Sequence, residues 1–249
     1  MFLLVSLLSI IFTLQLETMD SEPIVDSQMC SRKKPVSYSA LGELPKTADG
    51  AIALYDSWAK TYDAALISWG YPGPRRVAET IRGYVVDTNT KLIDLGCGTG
   101  LSGEALASFG FSTIDGVDIS QKSLDVISKS KHGVYNQLFQ GSLDEPMSFL
   151  EDNTYDGAIS VGVFSYVENF ESLFSEIVRI CRPSSIVAFT HRTELWDSDH
   201  RNCVSAAKAL EASGKWRIEH VGSPEAYMPH NPDPAESRKT IRIVVYRCL

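Results

Sequence analysis

The sequence predicts an α/β protein, a three-layer fold in which a doubly wound, mostly parallel sheet lies between helices. Short apolar runs alternate with amphipathic segments of helical length from residue 91 onward. Strands separated by helices of about a dozen residues pair in parallel through right-handed crossovers. The last two apolar runs have no helical segment between them, so we expect an antiparallel edge at the carboxyl-terminal end of the chain.

The first sixteen residues are apolar apart from four polar side chains, and they carry no charge. As a helix they would reach about 24 Å, short of the roughly 30 Å hydrocarbon core of a bilayer. The segment has the apolar length of a signal peptide, but no basic residue precedes it and no small-residue cleavage site follows it. Two interpretations stay open: a targeting or anchoring leader over 1–16, and an untranslated extension before a true start at Met19. We expect contact with a membrane only if the leader is retained.

Residues 17–50 are polar and show no sustained period, which predicts an irregular arm. Apolar side chains then recur at helical spacing over 51–68, and a second helical pattern ends before residue 87. We therefore expect a helical cap over 51–88 within one domain that spans 51–249.

The remaining chain supplies the strands and the helices between them. Short apolar, bounded runs predict strands at 91–95, 112–118, 134–140, 155–161, 186–190, 216–221 and 240–246. Helical periodicity predicts helices at 101–109, 121–131, 169–181 and 204–212, and proline-rich residues 222–239 are predicted to be a loop.

The composition is that of an ordinary globular protein, with 44% apolar residues and a net charge of −8. Nucleic-acid binding depends on neutralising phosphates, and the one compact basic run is 32–34, so we do not expect a nucleic-acid partner. The five cysteines are scattered, without metal-ligand spacing. We expect no metal, reduced and separately buried thiols, and a cytoplasmic location.

A glycine-rich turn follows the first strand and opens the next helix. Gly96, Gly98 and Gly100 alternate with other residues in this turn, where a Cβ would block a tight turn or the approach of a ligand to the backbone. Asp94 lies just before it, at the end of a buried strand. A carboxylate there is costly unless it accepts hydrogen bonds, for instance from a cationic or amide-bearing ligand.

A second acidic residue, Asp118, ends the second strand eighteen residues after Gly100. An acidic side chain at this place can accept hydrogen bonds from both ribose hydroxyls of a nucleoside. The alternative is that Asp118 caps the following helix, a role for which Ser120 is equally suited. We favour the ribose role because strand, turn and acid occur in the required order.

Residues 98–103 also satisfy the dinucleotide pattern G-x-G-x-x-G, which would indicate an oxidoreductase. A match of this kind is weak by itself. A pyrophosphate would gain nothing from the negative charge of Asp94, whereas the amino group of a sulfonium nucleoside would pair with it. We therefore favour a sulfonium methyl donor over a nicotinamide cofactor.

Residues 94–100, together with Val117-Asp118-Ile119-Ser120, resemble the class I S-adenosylmethionine-dependent methyltransferases. Residues 55–63, 161–165 and 189–193 are similar to the methyltransferase-like proteins of the Williams–Beuren syndrome region. The resemblance covers about residues 50–249. It implies a seven-stranded, Rossmann-like sheet with the antiparallel edge described above.

The resemblance also implies S-adenosyl-L-methionine as the methyl donor and a set of residues that contact it. These are Tyr62, Asp94, Gly96, Gly98, Gly100, Asp118, Ile119, Ser142, Leu143 and Val161. Asp94 would hold the amino group, Asp118 the ribose hydroxyls, and Tyr62 would close over the carboxylate end of the donor. Two departures from the family pattern stand out: Ser142 replaces an acid that usually faces adenine, with Asp144 two residues further on, and Pro183-Ser184-Ser185 replaces Pro-Gly-Gly.

The catalytic residues are not apparent, because methyl transfer needs alignment of the acceptor more than it needs a base. His191, at the carboxyl end of a strand, is the candidate base, with Tyr166 as a second; the alternative for His191 is a histidine hydrogen-bonded at a strand-to-loop junction. The aromatic residues Tyr55, Trp58, Tyr62 and Trp69 could attract a cation, but helical spacing favours a core-facing role for Tyr55 and Trp58 and leaves Tyr62 as the site candidate.

We therefore expect a methyltransferase of the EC 2.1.1 type that acts on a small molecule. The alternative is a non-catalytic protein that binds S-adenosylmethionine or S-adenosylhomocysteine, or an interaction protein. The sequence leaves the acceptor and the oligomeric state open.

Overall fold

The computed structural model describes residues 61–249, which form a mixed eight-stranded sheet with helices on both faces. The strands are β1 (Lys91–Leu95), β2 (Thr113–Asp118), β3 (Gln137–Gln140), β4 (Tyr155–Ser160), β5 (Cys181–Arg192), β6 (Trp216–Val221), β7 (Glu225–Ala226) and β8 (Thr240–Cys248). The helices are α1 (61–68), α2 (Gly73–Tyr84), α3 (Leu101–Ser108), α4 (Gln121–Ser130), α5 (Phe170–Ile180), α6 (Thr193–Asp197), α7 (Cys203–Ala212) and α8 (Pro234–Ser237).

The strand order is β3-β2-β1-β4-β5-β8-β6, with β7 paired to β8. The first five of these strands are parallel, and β8 runs antiparallel to β5, β6 and β7. The doubly wound sheet and its antiparallel carboxyl-terminal edge are therefore confirmed. The strand number is corrected from seven to eight, because the predicted loop over 222–239 contains β7, which is too short to show a periodic pattern, and α8.

The two faces of the sheet carry separate apolar cores, which follow from the alternation of side chains along each strand. Ile93 and Leu95 of β1 pack with α5 and α7, whereas Leu92 packs with α2 and α3 on the other face. The apolar stripe predicted for α5 is fully buried; it consists of Phe170, Leu173, Phe174, Ile177 and Ile180. The helical period and the strand period thus predict the same two layers around the sheet.

Smaller differences occur at the ends of the elements. β3 begins at Gln137 rather than at residue 134. The Asn136 N–H donates to the Ile114 carbonyl of β2, but the Ile114 N–H donates to the side-chain oxygen of Asn136 and not to a backbone carbonyl, so the regular ladder starts one residue later. The four cysteines of the described chain are buried free thiols, and Cys181 and Cys248 lie near enough to each other for Cys248 to raise the pKa of Cys181.

Several sequence-based expectations lie outside the described residues. These are the leader over 1–16, the arm over 17–50 and the first part of the cap, including Tyr55 and Trp58. Between residues 61 and 249, no helix is long and apolar enough to cross a membrane. The same part of the chain contains no cluster of three or more metal-ligating side chains.

The turn that departs from the family pattern leads to a stability prediction. Ser184 has a φ of 74°, in the left-handed region that costs a residue with a Cβ about 1–2 kcal/mol. We expect Ser184→Gly to raise the free energy of unfolding by about 1 kcal/mol, as measured by urea denaturation. Ser185→Gly is the matched control and should destabilise, because its hydroxyl donates to the backbone carbonyls of Tyr155 and Arg182. Equal effects at the two positions would contradict this explanation.

Candidate functional site

The glycine-rich turn between β1 and α3 forms the floor of a cleft at the carboxyl end of the sheet. The N–H groups of Gly96 and Cys97 donate to the Val117 carbonyl, which ties the turn to the end of β2. Gly96, Gly98 and Gly100 all have positive φ, between 52° and 94°, as the sequence pattern predicts for this turn. The cleft holds about 310 Å³ of empty space. It is lined by Tyr62, Leu66, Tyr71, Pro74, Gly96, Cys97, Gly98, Thr99, Leu101, Ser102 and Val161.

Asp94 is fully buried next to this cleft. Its Oδ2 accepts hydrogen bonds from the hydroxyls of Ser102, which lines the cleft, and Tyr135. Its Oδ1 is buried and has no partner among the described residues. Burial raises the pKa of Asp94 to about 6, against the two hydrogen bonds, which lower it. The site therefore contains a buried carboxylate with one oxygen held by two hydroxyls and the other without a hydrogen-bond partner among the described residues.

Tyr135 is a residue of this site that the sequence analysis missed. It donates to Asp94 over 2.7 Å and accepts from the Gly103 N–H over 3.0 Å. The sequence placed it in a strand, and its position forty-one residues after Asp94 gives no local signal of the contact.

Asp118 ends β2 beside the glycine turn. Its Oδ2 accepts from the Gly98 N–H and its Oδ1 from the Ser120 N–H, each over 2.8 Å. The helix cap is Ser120, whose hydroxyl accepts from the Ser123 N–H. Asp118 thus holds in place the loop that lines the cleft.

A second missed feature is the clasp between the cap and the glycine turn, made of Asp63, Thr99, Lys131 and Glu104. Thr99 of the turn donates its hydroxyl to Asp63 of α1. Lys131, at the end of α4, forms ion pairs of 2.7 Å with Asp63 and with Glu104 of α3. Only 7% of the Lys131 side chain is exposed, against 27% of Asp63 and 46% of Glu104, so the ammonium group is largely shielded from water while its acidic partners are not. The clasp fixes α1, and with it the neighbouring Tyr62, over the turn.

Tyrosines close the opposite side of the cleft. Tyr62 and Tyr71 line it, and the rings of Tyr71 and Tyr227 meet edge to face at 5.3 Å. Burial raises the pKa of all three hydroxyls, so they are neutral phenols at physiological pH. Trp69 is buried against Leu66 instead.

The remaining predicted donor contacts are divided between the lining of the cleft and positions outside it. Val161 lines the cleft, whereas Ile119, Ser142 and Leu143 do not. Asp144, the acid near the position of Ser142, accepts from the N–H groups of residues 168 and 169 and so holds the start of α5. The structure therefore gives Asp144 a structural role.

His191 lies on the other face of the sheet from the cleft. It is 1% exposed, and its ring packs 6.1–6.3 Å from the rings of Phe164, Phe170 and Trp196. Burial lowers the pKa of His191 to about 4. These surroundings do not support the role of a general base, and the hydrogen bond of the alternative is also missing, because neither ring nitrogen has a partner among the described residues.

Comparison with known proteins points to a methyltransferase domain. A methyltransferase-domain family profile matches residues 93–189, from β1 into β5. Methyltransferase-like protein 27 of Homo sapiens is 26% identical over 165 residues, which cover 65% of this chain and 66% of the relative. A malonyl-(acyl-carrier protein) O-methyltransferase of Halalkalibacterium halodurans is 30% identical over 128 residues, which cover 50% of this chain and 47% of the relative. The matches thus span between about half and two thirds of these relatives.

Solved structures share the fold. A TehB-like S-adenosylmethionine-dependent methyltransferase of Corynebacterium glutamicum has a TM-score of 0.57 at 16% identity, with 79% of this chain and 99% of that chain covered. The cyclase SpnF has a TM-score of 0.60 at 15% identity, with coverages of 82% and 97%. At these identities the likeness shows the fold alone. Together with the family profile and the relatives, it makes the chain similar to the class I S-adenosylmethionine-dependent methyltransferases over these residues.

Proposed function

We propose that the protein transfers a methyl group from S-adenosylmethionine to a small-molecule acceptor. The observation that carries this proposal is the buried Asp94 carboxylate, whose Oδ1 lacks a partner among residues 61–249. The open space at Gly98 supports it, because a Cβ placed there would meet no atom within 4 Å. A ligand with an amino group and a nucleoside would use both features.

The donor supplies a methyl group on a sulfonium, which is already a good leaving group. The chain then has to hold the two reactants in line and exclude water. Asp94 would bind the amino group, and Asp118 the ribose. Tyr62 would close over the donor, held there by the neighbouring clasp at Asp63. We propose that Ile119, Ser142 and Leu143 contact the adenine end, beyond the described cleft.

The lining of the cleft supports alignment rather than base catalysis. The side chains that line it are apolar, hydroxylic or glycine, apart from Cys97, whose pKa burial raises well above its usual value. An acceptor that is nucleophilic at neutral pH fits this lining better than one that must first lose a proton. The net charge of −8 favours a small molecule over a nucleic acid.

We also propose that residues 51–249 form the catalytic domain, with the cap over 51–88, and that the protein acts in the cytoplasm. The intracellular origin of the donor supports this location, as do the four buried free thiols of the described chain.

The test is isothermal calorimetry with S-adenosylmethionine, S-adenosylhomocysteine and NAD. We expect the first two to bind and NAD to give no heat. Binding of NAD alone would overturn the proposal. Donor binding without methyl transfer to a broad panel of small amines, acids, phenols and thiols would favour a non-catalytic binding protein.

The ribose role of Asp118 gives a separate prediction. We expect Asp118→Ala to weaken binding of S-adenosylhomocysteine at least about tenfold, because it removes charge-assisted hydrogen bonds. The same substitution also frees the Gly98 N–H, so calorimetry should compare 5′-methylthioadenosine with its 2′-deoxy analogue. A smaller loss with the deoxy ligand supports contact with the ribose. An equal loss with both ligands would show that only the loop has been loosened.

A further inference from the structure

Tyr135 connects the buried carboxylate of Asp94 to the start of α3. Its hydroxyl oxygen accepts from the Gly103 N–H and its proton is donated to Asp94 Oδ2. A backbone N–H can only donate, so the phenol proton has one direction left, toward the carboxylate. Burial raises the pKa of Tyr135 well above its usual value, so the phenol keeps that proton at neutral pH.

Two glycines make room for the Tyr135 ring. A Cβ on Gly103 would lie 2.3 Å from the ring Cζ, and one on Gly116 would lie 3.1 Å from the ring Cδ1. Neither glycine has a positive φ, so what matters at both positions is close approach rather than backbone conformation. The last glycine of the apparent dinucleotide pattern is thus explained by a tyrosine contact, without a pyrophosphate.

The two oxygens of Asp94 therefore have different roles. Oδ2 receives both protein hydroxyls, from Ser102 and Tyr135, and Oδ1 receives none among the described residues. Two donors from different elements, α3 and the segment before β3, fix the rotation of the carboxylate about its side-chain bond.

We propose that Tyr135 is a positioning residue that orients the Asp94 carboxylate so that Oδ1 accepts the α-ammonium group of a bound S-adenosyl ligand. This inference rests on the proposed donor binding and adds to it a residue outside the glycine motif. A hydroxyl that donates to a carboxylate stabilises its charged form. Loss of the Tyr135 hydroxyl should therefore raise the pKa of Asp94 above its present value of about 6 and leave more of it neutral at pH 7.

The test compares Tyr135→Phe with the wild-type protein by calorimetry, using two ligands. S-adenosylhomocysteine carries the α-amino group, and 5′-methylthioadenosine lacks it. At pH 7 we expect the variant to lose about tenfold in affinity for the first ligand and less than about twofold for the second. The ratio of wild-type to variant affinity for S-adenosylhomocysteine should shrink toward about pH 8.5, where Asp94 ionises in both proteins.

Tyr155→Phe is the matched control. Its hydroxyl donates to Asp115 at the amino end of the sheet, away from the cleft. It should lower the melting temperature without changing the affinity for either ligand. An equal loss of both ligands in Tyr135→Phe at every pH would show a merely structural role, and unchanged binding of S-adenosylhomocysteine would remove the inference. If the wild-type protein binds neither ligand, the proposed function fails first, and this inference with it.

Discussion

Replacing Gly96 with alanine is expected to lower the free energy of unfolding by about 3 kcal/mol or more and to abolish donor binding. The φ of Gly96 is 79°, in the left-handed region, and a Cβ there would lie 2.3 Å from Val163 Cγ2. The backbone strain of an alanine at position 96 and its clash with Val163 therefore both destabilise the variant. Urea denaturation and calorimetry with S-adenosylhomocysteine would measure the two effects.

Two further glycines separate these causes. Gly133 has a φ of 80° and Gly98 a φ of 52°, and a Cβ at either would have no neighbour within 4 Å. We expect Gly133→Ala and Gly98→Ala each to cost about 1 kcal/mol of stability from the backbone alone. Of these two glycines, Gly98 lines the cleft and Gly133 does not, so only Gly98→Ala should lose ligand affinity.

A double variant tests whether the clash with Val163 accounts for part of the cost of Gly96→Ala. Val163→Ala removes the methyl groups that a Cβ at position 96 would meet, so Gly96→Ala combined with Val163→Ala should cost less than the sum of the two single substitutions. Strict additivity would mean that the backbone, and not Val163, requires glycine at this position.

The parts of the fold that could be predicted are those set by local pattern. The 3.6-residue period of α5 and the burial of β1 follow from residues adjacent in sequence, and both are confirmed. The antiparallel edge follows from a missing crossover, which is also visible along the chain. β7 escaped prediction because two residues carry no period, and its pairing depends on β8.

The parts of the site that could not be predicted are side-chain contacts between distant segments. Tyr135 lies forty-one residues from Asp94, and Lys131 sixty-eight residues from Asp63. Such contacts depend on strand register and on the direction of a side chain after a turn, which one sequence does not show. The ion pair between the partly exposed Lys91 and the buried Asp115, 3.1 Å apart, is another example: it joins neighbouring strands through a register that pairs Lys91 with Thr113.

The position of Asp94 was predictable for a different reason. A carboxylate at the end of a buried strand conflicts with the local pattern, and such conflicts concentrate at functional sites. The structure shows the physical form of that conflict, a fully buried acid whose pKa is raised to about 6.

Replacing Asp94 with asparagine is expected to leave the protein at least as stable at pH 7.5 but much more sensitive to acid. The folded protein holds the pKa of Asp94 at about 6, above its usual 3.8, so ionised Asp94 costs about 3 kcal/mol of stability at neutral pH. That cost disappears as the pH falls from 6 toward 3.8, because the folded state then binds the proton more tightly than the unfolded state.

The effect of His191 on the free energy of unfolding changes with pH in the opposite direction to that of Asp94. Its pKa falls from 6.5 to about 4 in the folded protein, so the unfolded state binds the proton more tightly between these values. The stability that neutral His191 contributes is complete above pH 6.5 and decreases by about 3 kcal/mol as the pH falls to 4. In the wild-type protein the pH-dependent contributions of Asp94 and His191 to the free energy of unfolding therefore nearly cancel between about pH 6.5 and pH 4.

Single substitutions should expose each contribution. Relative to wild type, Asp94→Asn should lose about 3 kcal/mol more between pH 7.5 and pH 4, and His191→Phe about 3 kcal/mol less, as measured by urea denaturation at the two pH values. Other titrating groups drop out of these differences because they are common to all three proteins. Parallel pH profiles for the three proteins would contradict the assignment of both pKa shifts.

Asp94→Asn also separates stability from binding. A neutral amide in place of the carboxylate removes the charge that would pair with the α-ammonium group, so affinity for S-adenosylhomocysteine should fall at least about tenfold while 5′-methylthioadenosine is little affected. His191→Phe should bind both ligands as the wild-type protein does, because the aromatic surroundings of His191 lie on the other face of the sheet. A substitution that keeps or raises stability and removes binding would identify Asp94 as a residue retained for its ligand at a cost to the fold.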